Sequence, residues 1–217
     1  MRKVSYLIIL AGILLMLYPK GSEWYSNWQE QKLLQEAELS YSESTPAPVD
    51  PDLKSKYAQV TQLLAEESVL DETAQAPVKE EPEVKVGGKV IAVIEIDKIN
   101  LKLPVLEDAT KANMKHAAAH MIETAPIGES GNAAIAAHRA RTKGRLFNRL
   151  NEVAIGDEIT VKTSGEVYTY EVYDISIVEP TDVSVLDGNN EDKILTLITC
   201  DPLVDPTHRL IVHAKLP

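Results

Sequence analysis

From Gly87 and Gly88 onward the sequence becomes a succession of short β-branched and aromatic runs: KVIAVIEI, DEITVKT, EVYTYEVYDISIV, KILTLITC and RLIVHAKL. Each has strand length, and Gly, Asn, Asp or Pro clusters separate them. Helical pattern is scarce beside them. ATKANMKHAAAH, residues 109–120, is the best helix candidate, and GRLFNRL can supply one further turn. Many short strands with few helices over residues 89–217 favour a closed barrel or a sandwich. The chain has 217 residues, 44% of them hydrophobic, enough for one folded domain with extensions. It shows no internal repeat.

The N-terminal end reads differently. MRKVSYLIILAGILLMLYPK sets Arg2 and Lys3 ahead of an uncharged run from Val4 to Pro19, short for a full span but extendable through Gly21 and Ser22. No small-x-small cleavage site follows, so the expectation for residues 1–22 is an uncleaved transmembrane helix rather than a signal peptide. Positive charge on the short leading side keeps the N-terminus cytoplasmic and sends the remainder outside, making a single-pass protein with an extracytoplasmic domain.

Between Gly21 and Gly88 lie 14 acidic and 5 basic residues, about nine of the eleven net negative charges of the whole chain, together with five prolines. Residues 23–88 therefore read as an acidic stalk, mostly disordered and extended. Short helices are conceivable at WYSNWQEQKLLQEAEL, with Trp24, Tyr25 and Trp28 at the outer membrane interface, and from Tyr57 to Leu70. Nucleic-acid binding, which needs a basic footprint, is disfavoured.

Cys200 is the single cysteine. A lone cysteine in an exported domain makes no intrachain bridge, which leaves an inert thiol, an intermolecular disulfide or a reactive nucleophile. KILTLITC and RLIVHAKL flank a loop with two Asp-Pro steps, so a hairpin would make Cys200 and Arg209 neighbours. A guanidinium there favours the thiolate and steadies charge on a substrate oxygen, unless it merely pairs with Asp201 or Asp205. His138 closes the apolar run AAIAA, a strand-end placement like that of Cys200, and suits a general acid and base. His208 should face away from Arg209, and His213 lies four residues further on. His116 and His120 would share one face of a helix, a spacing seen in zinc sites, but no third ligand adjoins them and no metal is expected.

With these residues assembled, the sequence resembles the sortases, cysteine transpeptidases of Gram-positive envelopes. The resemblance runs in order through IEIDKINLKLPV, TAPIGESGNAAIAAHR, LFNRLNEVAIGDEITV, YTYEV, PTDVSVLD, TLITC and HRLIVHAKL. It implies a mainly β fold, an eight-stranded barrel over residues 89–217 with one or two short helices. It also implies that Cys200 attacks an LPxTG-like sorting signal, His138 serves as acid and then base, and Arg209 positions substrate and stabilises the oxyanion. Thr199 would help hold substrate. The thioacyl intermediate would pass to an amine of a lipid-linked peptidoglycan precursor, with no cofactor; calcium activates some relatives, but no acidic cluster maps onto such a site. Ala137 stands where the family commonly has Gly. No obvious lid sequence and no second hydrophobic segment are seen, which favours a class A-like enzyme, then a class D-like one, over a pilin-polymerising one. The alternatives are a membrane-tethered, non-catalytic β-domain that binds envelope components, and a cell-wall cysteine hydrolase. The latter is disfavoured because such enzymes place the cysteine ahead of the histidine and at a helix N-terminus.

Overall fold

The computed structural model describes residues 24–37, 52–70, 88–189 and 191–217, the side chains of residues 67–70 excepted. The expected anchor over residues 1–22 lies outside them. Among the described residues no helix is long and apolar enough to cross a membrane.

Residues 24–37 form helix α1 and Leu53–Leu70 helix α2. The strands are β1 (Val90–Ile96), β2 (Leu101–Glu107), β3 (Ala118–His120), β4 (Gly131–Ala136), β5 (Glu158–Lys162), β6 (Val167–Val178), β7 (Lys193–Asp201) and β8 (His208–Lys215), with a single helical turn, α3 (Lys111–Met114), before β3. They close into one barrel in the order β1-β2-β3-β4-β7-β8-β6-β5. Two neighbouring pairs, β2 with β3 and β4 with β7, are parallel; the other pairs are antiparallel. Closure leaves no long edge strand to template association.

Alternation along the strands sorts side chains between two cores. Ile94, Leu103, Ile135, Leu195, Leu197 and Val212 face the barrel interior with Phe147 and Tyr170. The opposite faces of the same strands, Ala134 and Ala136 on β4, Ile198 and Cys200 on β7 and Ile211 on β8, form a second apolar surface outside the barrel. That outer surface explains why β4 and β7 read as continuous apolar runs rather than as alternating ones. A β-bulge between Val90 and Ala92 puts Val90 on the same face as Val93, where both meet Leu33, Leu34 and Ala37 of α1. Pro104 is accommodated within β2 because the pairing with β3 begins only at Val105.

Three expectations need correction. The helix expected over residues 109–120 shrinks to α3, capped by the Thr110 side chain, and Ala118–His120 is a strand. Alanine favours helix locally, but residues 118–120 fill the gap between β2 and β4, and cross-strand pairing overrides propensity. The short helices offered within the stalk do form, over residues 24–37 and 53–70, but they pack on the barrel instead of belonging to an extended spacer. Nor is the barrel without a cover: Tyr57, Val60 and Leu64, one stripe of α2 at helical spacing, join the outer apolar surface. Gly88, at the junction of stalk and barrel, is required by close approach. A Cβ there would run into the Asn113 amide and the Glu107 carbonyl, the same amide that donates to Glu107 O and Asp108 O at 2.9 Å each.

Phe147 is completely buried in the interior core. Phe147→Ala is expected to lower barrel stability by about 3–5 kcal/mol, read as a fall in the urea midpoint without a change of slope.

Candidate active site on the outer face of the barrel

The site is set by the register of β7. Cys200 pairs directly with Arg209 across the β7–β8 hairpin, and Thr199 pairs with Leu210. Cys200 and Arg209 occupy the outward position, since their neighbours Leu210 and Leu197 belong to the interior core. On the other side, β4 runs parallel to β7 with Ala136 level with Ile198, and the Ala137 N–H donates to Ile198 O at 3.1 Å. Two residues further along each strand, this register brings His138 level with Cys200. Sulfur, imidazole and guanidinium therefore come from three adjacent strand ends, although 62 positions separate His138 from Cys200 in the sequence.

Thr199 does not face this surface. Pleat alternation turns it inward, and its hydroxyl donates to Ala137 O at 2.8 Å. The expected substrate contact is thus replaced by a tether between the two strand ends that carry Cys200 and His138. Ala137 keeps φ below zero, positive φ outside glycine being confined among the described residues to Asn100, Asp108, Leu146 and Asp205. Its methyl group packs in the interior core, so alanine carries no backbone strain there.

Arg139 was not foreseen from the sequence. Its Nη1 donates to Asp201 Oδ1 at 2.5 Å and to the Cys200 carbonyl at 3.3 Å. It clamps the end of β7 beside the sulfur and takes Asp201 away from Arg209. Only a basic residue after His138 and an acidic one after Cys200 hinted at it. Arg209 instead donates to the His208 carbonyl at 2.8 Å and to the Thr61 carbonyl of α2 at 2.5 Å. The Cys200 thiol donates to the Leu64 carbonyl of the same helix at 3.4 Å. Cys200, Arg209 and His138 are buried, with 1%, 2% and 6% of their surface exposed.

The remaining histidines fall apart as candidates. His116 lies in the turn after α3 and meets the Tyr25 ring edge-on at 6.4 Å, while His120 ends β3, so the two do not share a helical face. Among the described residues no group of three His, Cys, Asp or Glu side chains is placed to hold a metal. His120 Nε2–H donates to Ala125 O at 2.9 Å. His208 faces away from Arg209 and reaches Glu179 at 3.4 Å. His213 lies opposite Thr196, whose hydroxyl donates to Asn132 Oδ1 at 2.6 Å and so accepts from His213 Nδ1–H at 2.9 Å. The Asn132 amide in turn donates to Val185 O and Asp187 O at 3.1 Å each. This chain of bonds fixes the 3-10 turn Val183–Leu186 against β4, where Val185 and Leu186 wall the apolar surface beside Cys200.

Against known proteins, the family model described as a sortase domain matches residues 94–217. The chain is 35% identical over 128 residues to sortase A of Bacillus anthracis, covering 59% of this chain and 60% of that one. It is 33% identical over 132 residues to sortase A of Streptococcus agalactiae serotype III, covering 58% and 53% respectively. The chain thus spans somewhat over half the length of these relatives. Among solved structures, a sortase D5 transpeptidase of Clostridium perfringens is 30% identical with a TM-score of 0.56, covering 73% of this chain and 99% of that one. A lid mutant of sortase A from Corynebacterium diphtheriae is 26% identical with a TM-score of 0.58, covering 77% and 95%.

Two expectations follow from this geometry. Arg139→Gln should cost about 1–3 kcal/mol of stability, because it leaves the largely buried Asp201 carboxylate without its cation; urea unfolding checks it. Burial holds both His120 and His213 below the usual histidine pKa. Each binds fewer protons folded than unfolded, so stability is intact above the unfolded value of about 6.5 and is lost as pH falls from there through the folded pKa. Unfolding free energy should therefore decline from about pH 7 downward, and His213→Gln should flatten that decline.

Proposed function

The chain belongs to the sortase family, and from that premise we propose that it is a cysteine transpeptidase acting on LPxTG-like sorting signals at the outer face of the cell membrane. The observation that supports this best is the direct cross-strand pairing of Cys200 with Arg209, beside the strand end that carries His138.

In this reading His138 takes the Cys200 thiol proton and Sγ attacks the threonine carbonyl of the sorting signal. Arg209, whose Nε is buried and has no hydrogen-bond partner, offers its guanidinium to the oxygen that becomes negative in the tetrahedral intermediate. His138 gives a proton to the departing amine as the C–N bond breaks, leaving a thioacyl enzyme. An amine of a lipid-linked peptidoglycan precursor then attacks; His138 takes its proton, the C–S bond breaks, and the protein is joined to the wall precursor. No cofactor enters these steps. Thr199 and Arg139 act by position: the first ties the Cys200 strand to the His138 strand, the second holds the peptide that follows the nucleophile.

Localisation follows from the same proposal. Residues 1–22 supply a single membrane anchor with the N-terminus in the cytoplasm, and the barrel lies outside, where lipid-linked acceptors are presented. Trp24 and Trp28, 70% and 49% exposed at the start of α1, suit the adjoining membrane interface.

The burial of Cys200 is the observation that would suit an inert thiol. Helix α2 contributes to it through Leu64, however, and the cysteine keeps Arg209 as its direct strand neighbour.

Incubation with an LPxTG-type peptide should give a mass adduct on Cys200 and, with added amine, a transferred product. Cys200→Ala should abolish both. His138→Ala should reduce kcat/KM by about 10² to 10⁴ and Arg209→Ala by about 10² to 10³. Product formation that ignores the amine would count against transfer.

A further inference from the structure

Helix α1 has two apolar faces, and only one of them is buried on the barrel. We infer that α1 is a bracket that seats the barrel on the lipid bilayer: its aromatic face lies in the headgroup boundary while its opposite face grips β1 and β2. This rests on the membrane anchor proposed for residues 1–22 and concerns how the catalytic domain stands toward the lipid that presents its acceptor.

The two faces are read from helical spacing. At about 100° per residue, Trp24, Tyr25 and Trp28 cluster on one side of α1, and Leu33, Leu34 and Ala37 on the other. The second set is buried in a cluster with Val90, Val93, Leu106 and Ala117. The first set is 70%, 44% and 49% exposed. Both tryptophans of the chain stand in this patch. The Tyr25 and Trp28 rings lie 6.0 Å apart, and Lys32 Nζ sits 5.8 Å from the centre of the Trp28 ring. Two indoles, a phenol and an ammonium make a surface whose apolar bodies suit acyl chains and whose polar edges suit headgroups, anionic ones in particular.

Chain length decides the occupant. Only Glu23 separates Ser22, the last residue of the proposed anchor, from Trp24. Two residue steps reach about 7 Å at most, so the aromatic end of α1 begins at the bilayer boundary. The helix over residues 24–37 is about 21 Å long, and its far half is fastened to the barrel by Leu33, Leu34 and Ala37. Tyr25 adds a contact at the near end, meeting the His116 ring edge-on at 6.4 Å. One helix rooted at the membrane therefore holds the barrel at both of its ends. The acidic, proline-containing sequence that follows α1 comes after this attachment, so it does not set the distance between bilayer and barrel. The active site is held at a fixed height above the lipid instead of ranging on a long tether.

The test uses the full chain in vesicles of phosphatidylcholine and phosphatidylglycerol, with flotation confirming incorporation. Trp24→Phe leaves Trp28 as the only indole. Its fluorescence is expected to fall about twofold or more with lipids brominated near the headgroup end of the acyl chains, and less with lipids brominated near the chain terminus. Orientation is read from a dye on Ser164→Cys, exposed between β5 and β6, in a Cys200→Ala background. The residual anisotropy of that dye is expected to fall about twofold or more when Leu33→Asp frees the barrel from α1, and to fall also when Trp28→Ser removes the seat. Neither Leu33 nor Trp28 takes part in the proposed chemistry. Unquenched Trp28 in protein that floats with the vesicles would overturn the bracket; a blue-shifted emission insensitive to bromine, the sign of a second copy on the aromatic face, would do so as well. Equal residual anisotropy with and without the two substitutions would also overturn it. Should Leu33→Asp fail to fold, Trp28→Ser decides alone, since Trp28 is exposed. Protein that does not float refutes the anchor and the bracket with it. Quenched, ordered protein that, with Cys200 in place, leaves an LPxTG-type peptide uncut upholds the bracket while refuting the transpeptidase reading.

Discussion

Everything at the site depends on the register of β7 between its two neighbours. A slip of one residue against β8 would turn Cys200 inward and send Thr199 to the outer surface, because side chains alternate with a period of two. The register is therefore secured from several directions. Interior residues Leu195 and Leu197 fix it by packing, the Thr199 hydroxyl fixes it to β4, and the Arg139 clamp fixes the strand end. Thr196, bonded to both Asn132 and His213, adds a polar key that fits in only one alignment. The chemistry needs three groups from distant parts of the chain in one place, and a barrel delivers that because its hydrogen bonds define positions along every strand.

A barrel with apolar side chains on both faces of β4 and β7 carries a debt of exposed surface unless something covers the outside. Helix α1 covers β1 and β2, and the 3-10 turn Val183–Leu186 covers one side of the catalytic surface. The remaining area is where the proposed sorting peptide would bind, and it is there that α2 rests. An apolar groove suited to a substrate is, without substrate, equally suited to an amphipathic segment of the same molecule.

Sequence made the barrel legible for a physical reason. Strands β1, β5, β6, β7 and β8 are long, rich in β-branched residues and bounded by turn formers, so their local signal and tertiary role agree. β2 and β3 escaped for opposite reasons. β2 contains Pro104, permitted only because its partner strand starts one residue later, and β3 is three residues of alanine and histidine whose strand character is conferred entirely by its neighbours. The pairing of Cys200 with Arg209 was legible because a hairpin equates sequence symmetry with spatial proximity. The inward turn of Thr199 was not legible from the motif, because resemblance says nothing about pleat parity, whereas counting from Leu197 does. The clamp from Arg139 to Asp201 could not be derived, since it joins strands whose adjacency only the closed topology establishes.

The docking of helix α2 on the barrel was the hardest part to see, and the reason lies in its composition. Its stripe of Tyr57, Val60 and Leu64 is flanked by the acidic, proline-containing sequence that marks a segment unable to fold alone. Such a segment acquires structure only where a surface is offered, and the offered surface here is the outer apolar face of β4, β7 and β8. A docked element of this kind is the one most readily surrendered, since it contributes few apolar side chains and leaves a buried phenol unsatisfied, whereas each barrel strand is bound on both sides. The order of stability follows from the topology: strands outlast the helix that covers them.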